Sequence, residues 1–396
     1  MPIAKDAERL ASLTQALNTH ALDAFVFLHP ENVLLGTGIL PGSTYAFAVV
    51  TADGSVTLIT PWWREPYDRA DSWADEILAY DWMKRLDSPD PVSATGGLLK
   101  EVQRKHGLSR IGYDHRFGHY SATRGASECS TYYDIKERLP AIFDAVTDAA
   151  PLIHEVRAVK TTHEVGKIKT ALEIAGVGVD IFYRNVHAGR RECELAAMVR
   201  YATDMKVGYN GVRFIDSDPP QITSGPERTA VAGTMTNHAT DRVMMPGDVV
   251  MLEYGGHADG FWWDLTRMAT IGKPPDTVQD IWNVLRDARQ AAIDAYVPGQ
   301  STGDVLFKAA FTVMKKGGYA EYVVHGIGHP LGFSYHEEGG IGTGSSYVVK
   351  PGMVTSLEPG IYVPDIGGLR VEEMVLWGDK PGQAEVLSTF PNGLTL

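Results

Sequence analysis

The spacing of apolar and polar positions changes character along this chain. Residues 6–19 place Leu10, Leu13 and Leu17 on one stripe at helical spacing, which predicts an amphipathic helix. "DAFVFL" at 23–28 is a short continuous apolar run and reads as a buried strand. "STYAFAVVTADGSVTLIT" at 43–60 carries two β-rich arms around "ADG", a turn signal, and predicts a hairpin. A polar helix is expected near 94–106 and a strand at 109–114. Strand and helix therefore alternate over the first 150 or so residues, predicting an α/β domain.

"LIHEVRAVKTTHEVGKIKTALEIAGVGVDIFYRNV" breaks that pattern. Thr161 or Thr162, followed by Glu164 in the first turn, marks a helix start, and the helix runs to about Asn185. A second helix follows Gly189. Strands at "DVVMLEYGG" and "FWWDLTRMATIG" come next, then helices over about 276–296 and 302–317, then short β segments. The boundary is placed at 150–158, giving a domain over 1–154 and an α+β domain over 155–396.

Composition narrows the partners. The chain has 396 residues, which suggests two domains or one large one, and at 44% hydrophobic it can bury a full-sized core. A net charge of −13 argues against nucleic acid, whose phosphates need a basic face. Two cysteines, Cys129 and Cys193, imply no disulfide framework and point to a reducing, cytoplasmic setting. The N-terminal stretch lacks the apolar centre of a signal peptide, and no apolar run approaches the ~20 residues that span a bilayer, so no membrane partner is expected.

Candidate chemistry begins in "MLEYGGHADGFWWDLT" (251–266), where Glu253 and Asp264 flank a turn-like "HADG". In a β-hairpin, a turn centred on Ala258–Asp259 sets Glu253 opposite Asp264. A turn centred on Asp259–Gly260 sets it opposite Thr266. Either register leaves both acids on one face, about 4.5–8 Å apart. Such a pair needs a cation, a shared proton or water; two solvated acids on an open face are the plainer alternative. Trp262 and Trp263 directly precede Asp264, so one faces the core and the other is free to wall a pocket.

"VVHGIGHPLGFSYHEEGG" (323–340) gathers His325, His329 and His336 among glycines. Glu358 stands beside a Pro-Gly turn, and Glu372 follows Arg370 in "LRVEEMVLW", a strand with an acid on its buried face. Glu253, Asp264, His329, Glu358 and Glu372 form a hard, oxygen-rich donor set. It suits one or two ions of Mn, Co, Zn or Fe(II) better than a thiolate zinc site would.

These residues carry a resemblance. "VRAVKTTHEVGKIKTALEIA", "AGRRECELA", "PGDVVMLEYGGHADGFWWDLTRM", "HGIGHPLGFSYHE", "SLEPGIYV" and "GLRVEEMVLW" occur in order and resemble the motifs of the pita-bread superfamily. That superfamily includes methionine aminopeptidase, aminopeptidase P, prolidase, creatinase and ectoine hydrolase. Residues 1–150, with "DAFVFLHPENVLLGTG", resemble the N-terminal domain of its larger members. The resemblance implies an α/β N-terminal domain before an α+β pita-bread catalytic domain. It also implies a homodimer and hydrolysis of a C–N bond in a short peptide, as by an Xaa-Pro dipeptidase or aminopeptidase.

Carried onto matching positions, the family's metal ligands become Glu253, Asp264, His329, Glu358 and Glu372. The resemblance makes Glu358 both ligand and proton shuttle, gives His336 the tetrahedral oxyanion and sets His325 along the substrate pocket. Arg370 would orient a carboxylate or hold Glu372, with a plain ion pair as the alternative. Two departures stand out. The first ligand is Glu253 where the family has Asp. Its longer arm could expel one ion, or free Glu253 as base or nucleophile in a metal-independent, creatinase- or ectoine-hydrolase-like enzyme acting on a cyclic amidine or guanidino compound. The family's substrate-gating histidine falls on Thr236 by direct count, and on His238 only with a short deletion. Trp62, Trp63 and Arg64 are candidates for closing an active site or for dimer packing. A non-catalytic peptide-binding module is the remaining alternative.

Overall fold

The computed structural model describes residues 4–41, 46–81, 90–114, 135–233 and 238–395. The chain divides into two compact units, Met1–His163 and Glu164–Leu396. Among the described residues no helix is long and apolar enough to cross a membrane.

The first unit is built on a six-stranded mixed sheet. Its strands are β1 (Ala24–Phe27), β2 (Phe47–Thr51), β3 (Val56–Pro61), β4 (Glu76–Tyr80), β5 (Arg110–Tyr113) and β6 (Ala145–Asp148), in the order β4-β3-β2-β1-β5-β6. β2 runs antiparallel to both β1 and β3, and the expected turn at 52–55 joins it to β3. The outer pairs β3–β4, β1–β5 and β5–β6 are parallel. Residues 43–45 of the expected hairpin lie outside the described residues. Val26, Phe47, Ile59, Leu99 and Ile111 form part of the core on one face.

The helix Ala7–Thr19 starts where the Asp6 carboxylate accepts from the Arg9 amide at 3.0 Å, an N-cap. Leu13 and Leu17 of the predicted stripe are fully buried, but Leu10 is only half-buried. Arg9 is the buried neighbour instead. Its guanidinium donates to the Val156 and Val159 carbonyls at the end of the helix Ala150–Ala158, so its charge faces orphan carbonyls rather than water. Trp62 and Trp63 are among the exposed large side chains of this unit.

The second unit begins within the first turn of the helix Thr162–Asn185, which is followed by a shorter helix, Glu192–Asp204. Its central feature is the long hairpin of β9 (Val249–Ala258) and β10 (Phe261–Thr270), flanked by β7 (Ile215–Ser217) and β8 (Gln221–Ser224), which both pair with β9. Beyond it lie β11 (Val354–Leu357), β12 (Gly360–Val363), β13 (Gly367–Arg370), β14 (Glu373–Trp377) and β15 (Ala384–Val386). β11, β14 and β15 make one antiparallel sheet, and β12 pairs with β13.

The hairpin takes the second of the two registers expected, with Glu253 opposite Thr266 and Gly255 opposite Asp264. The turn residues explain the choice. Asp259 and Gly260 have φ of 51° and 92°, the left-handed pair that matches the twist of a two-residue hairpin. The Asp259 carboxylate accepts from the Arg213 and Phe214 amides, which holds that conformation. Directly opposed residues share a face. Glu253, Gly255, His257, Trp262, Asp264 and Thr266 therefore line one side, and Tyr254 and Trp263 pack together on the other.

Arg267, fully buried, ties this hairpin to the last strands. It donates to the Thr266, Glu372 and Pro391 carbonyls and pairs with Glu373 at 3.0 Å. The acids of β10 and of the β13–β14 segment are thereby held in fixed relation.

Two expectations follow from the hairpin. Gly260→Ala forces a Cβ into left-handed backbone and costs about 1–2 kcal/mol, read as a lower urea midpoint at unchanged m. The buried His257 ring is held neutral, its pKa pushed down to about 4 by burial and partly opposed by Asp216. Its Nδ1 accepts from the Gly260 amide at 3.2 Å, a bond that protonation removes. The unfolded chain takes this proton near the ordinary value of 6.5, so the stabilisation is complete above that pH and is lost as pH falls towards about 4. The full effect is roughly 3 kcal/mol. His257→Asn, which retains an acceptor, should flatten the unfolding free energy across that pH window. An unchanged pH slope would contradict the assignment.

Candidate active site

The five expected donors converge. Glu253 comes from the middle of β9 and Asp264 from β10. His329 lies in the glycine-rich segment before β11, Glu358 directly follows β11, and Glu372 sits between β13 and β14. The His329 segment is docked onto β11: the His329 amide donates to Ser356 Oγ at 3.1 Å, and the Ser356 amide to the His329 carbonyl at 2.9 Å. Gly328 is required here, because a Cβ would overlap the Ser356 carbonyl. The Glu358 amide donates to the Ile327 carbonyl, so strand contacts also set where Glu358 begins.

Three of the donors are buried, and Glu253 and Glu358 are half-buried. Asp264 is 2% exposed, His329 7% and Glu372 0%. Asp264, His329 and His336 each offer one atom within 4.8 Å of the others, as do Glu253, Asp264 and Glu372. Glu358 Oε1 is 3.6 Å from His329 Nε2. His329 Nδ1 lies 3.1 Å from the Pro330 carbonyl, an acceptor only, so Nδ1 carries the proton. The lone pair of a neutral His329 then sits on Nε2, directed at Asp264 Oδ2 3.1 Å away. Two acceptors face each other there unless a proton or a cation lies between them.

Charge crowding gives the acids opposite tendencies. Burial, then the Glu253 and Glu358 charges, pushes the Asp264 carboxyl well above the usual range. Burial and the Asp264, Glu253 and Glu358 charges do the same to Glu372. Burial also opposes ionisation of Glu358, but His329, Arg370, His325 and His336 outweigh it and hold its pKa below the usual value. Among the described residues, Glu372 Oε1 is buried without a hydrogen-bond partner. An orphaned buried carboxylate oxygen amid acids that resist ionisation is a donor set awaiting positive charge. The residues fit a divalent cation on Asp264, His329, Glu358 and Glu372.

Arg370 supplies one fixed positive charge. Its guanidinium pairs directly with Glu253 Oε2 and donates to Thr266 Oγ1 at 2.7 Å and to the Tyr362 hydroxyl at 3.3 Å. Glu372 and Glu358 are each 3.9 Å from it. Its close partner is therefore Glu253 rather than Glu372. Thr266 Oγ1 also touches Glu253 Oε2 and Glu372 Oε2, at 2.7 and 2.6 Å.

His325 is held by its own loop, with Nδ1 against the Gly326 carbonyl and Nε2 2.8 Å from the Tyr362 hydroxyl. Burial keeps it neutral. His336 stacks on His329 with ring centroids 3.5 Å apart, and burial beside that ring lowers its pKa to about 3. His238 is exposed, with its carbonyl accepting from Arg228. The gating alternative, Thr236, lies outside the described residues.

Three residues were not anticipated as members of the site. Tyr335 places its hydroxyl 3.0 Å from Glu253 Oε1 and 3.0 Å from Asp264 Oδ1. Thr266 and Tyr362 complete the contacts of Arg370. The available signals were period-two spacing for Thr266, on the face of Asp264, and Gly255, whose missing side chain leaves room for the Tyr335 ring. Trp262 extends the site face, in contact with the His257 and Tyr335 rings.

Comparison with known proteins agrees with this geometry. Residues 166–379 match the model of metallopeptidase family M24, and residues 9–159 match the creatinase/prolidase N-terminal domain. An Xaa-Pro dipeptidase of Pyrococcus horikoshii is 31% identical over 369 residues, covering 93% of this chain and 94% of that one. Its counterpart in Pyrococcus furiosus is 29% identical over 370 residues, covering 93% and 94%. The crystal structure of the prolidase from Pyrococcus horikoshii superposes with a TM-score of 0.77 at 23% identity, over 98% of this chain and 99% of that one. A metallopeptidase match over more than half the chain, on the segment that assembles the buried donor cluster, makes this protein a member of metallopeptidase family M24 with a creatinase/prolidase N-terminal domain.

Proposed function

We propose that the chain is a metal-dependent peptidase that hydrolyses the Xaa–Pro bond of dipeptides or short peptides. The observation that carries this reading is the buried cluster of Asp264, His329, Glu358 and Glu372 with its orphaned carboxylate oxygen. Relatives named Xaa-Pro dipeptidase, alike over almost the whole chain, support the substrate class.

Asp264, His329, Glu358 and Glu372 would hold the metal, with Glu253 beside them. A divalent ion bound there supplies Lewis acidity, which polarises the scissile carbonyl and acidifies water. Glu358, ionised among its histidine and arginine neighbours, takes the proton of the attacking water at its carboxylate. It then delivers that proton to the leaving proline nitrogen as the C–N bond breaks. His336, neutral at working pH, donates to the carbonyl oxygen as negative charge develops on it. His325, also neutral, lines the substrate side and is oriented by Tyr362. Arg370 acts through Glu253, keeping that carboxylate ionised and in place.

The metal-independent alternative needs Glu253 free as base or nucleophile. Both its oxygens are engaged, Oε1 by Tyr335 and Oε2 by Thr266 and Arg370, which weighs against that role.

The test is proline release from Xaa-Pro dipeptides by protein supplied with Mn(II) or Co(II). Chelation should abolish release and either ion restore it. Glu358→Gln should lower kcat by about 10²–10⁴-fold. No release with any divalent ion, or full turnover in the presence of chelator, would overturn the reading.

A further inference from the structure

The geometry around Glu253 differs from that around the other acids. Its Oε2 is occupied by the Arg370 guanidinium and Thr266 Oγ1, and its Oε1 by the Tyr335 hydroxyl. The same hydroxyl reaches Asp264 Oδ1, so the space between the first two acids already holds a polar group. On the far side, Asp264 Oδ2 faces the His329 Nε2 lone pair and Glu358 lies close by. Glu372, whose Oε2 meets Thr266 Oγ1, keeps its Oε1 without a hydrogen-bond partner among the described residues. One side of the cluster is satisfied by protein donors, and the other is not.

From this asymmetry we infer that the chain binds a single divalent ion, on Asp264, His329, Glu358 and Glu372, and that the Tyr335 hydroxyl blocks a second ion at Glu253 and Asp264. The inference rests on the metal-dependent reading above and specifies its stoichiometry. Glu253, Asp264 and Glu372 do offer three oxygens within 4.8 Å of one another. The Tyr335 ring, however, stands over Gly255, the residue directly across the hairpin from Asp264, where any Cβ would overlap it. The hairpin thus makes room for a large side chain at the place a second ion would need. Trp262 and His336 hold that ring in position by contact, with centroids 5.7 and 5.0 Å away. A phenol is neutral and carries one proton, so it donates to one of these two carboxylates at a time and fills the space without adding the charge of an ion. The neighbouring positive charge comes from Arg370, which cannot be deprotonated in a protein.

Tyr335 is in this account a residue that sets metal number, and its effect is read on the metal rather than on turnover. The full chain is stripped with chelator, saturated with Mn(II), freed of excess ion and assayed for metal per subunit by mass spectrometry. Electron paramagnetic resonance is recorded on the same samples. The wild-type chain should hold one equivalent, with the six-line spectrum of an isolated Mn(II). Tyr335→Val combined with Glu253→Asp should hold two, with the multiline spectrum of a coupled pair. Tyr335→Phe, which keeps the ring and removes only the hydroxyl, should show an intermediate second-site occupancy.

Two equivalents in the wild type would overturn the inference while leaving the peptidase reading intact. One equivalent in the wild type and still one in the folded double variant would remove the blocking role from Tyr335. Loss of the first ion in Tyr335→Phe would make the hydroxyl a ligand and overturn the inference. No bound ion in any form would sink the metal-dependent reading itself.

Discussion

Gathering Glu253, Asp264, Glu358 and Glu372 in one buried space costs free energy twice, through lost hydration and through mutual repulsion. Each neighbouring residue of the site answers part of that cost. Arg370 neutralises Glu253 and favours ionised Glu358, and Thr266 shares its hydroxyl oxygen among three neighbouring side chains. What the protein leaves unanswered is concentrated at Asp264 and Glu372, whose carboxyls are pushed well up. A fold that spends so many polar contacts on one side of a cluster and none on Glu372 Oε1 directs its affinity for a cation to a definite place.

The scaffold makes this possible by joining acids that are far apart in the chain. The β9–β10 hairpin needs only strand alternation and a left-handed turn to put Glu253 and Asp264 on one face. Glu358 and Glu372 lie just beyond the ends of separate strands, and Arg267 ties the Glu372 segment to the hairpin by reaching across to the Glu372 carbonyl. His329 is placed by backbone pairing with β11. The site is thus built mainly on strands and their direct extensions, where positions are held by ladders of hydrogen bonds.

Much of this was legible from residue order. Period-two alternation put both hairpin acids on one side whichever register was taken, and the Asp259–Gly260 pair was the turn chemistry that decided between them. The clustered motifs named five residues that the fold brings together, because the chemistry at stake constrains residue type. Partners were harder to read. Arg370 lies two residues from Glu372 in the chain, yet in an extended strand its side chain reaches across to β9 and meets Glu253. Tyr335 falls between two recognisable residues and has no period to betray it; only the missing side chain at Gly255, far off in sequence, hints at where the ring goes. Leu10 gave way to Arg9 on the buried face of the first helix for a similar reason, since helical spacing cannot tell that carbonyls at the end of another helix will accept a guanidinium.

The hairpin register also bears on how such a site can evolve. Because side chains alternate between faces, removing one residue from β9 between Glu253 and the turn would send the acid to the side now filled by Tyr254 and Trp263. Exchange of one acid for another at position 253 changes reach by a methylene and leaves direction intact. This stretch is therefore permissive towards substitution and closed to change in length, so descendants of such a chain would diversify their metal chemistry by swapping side chains on a ladder of constant length.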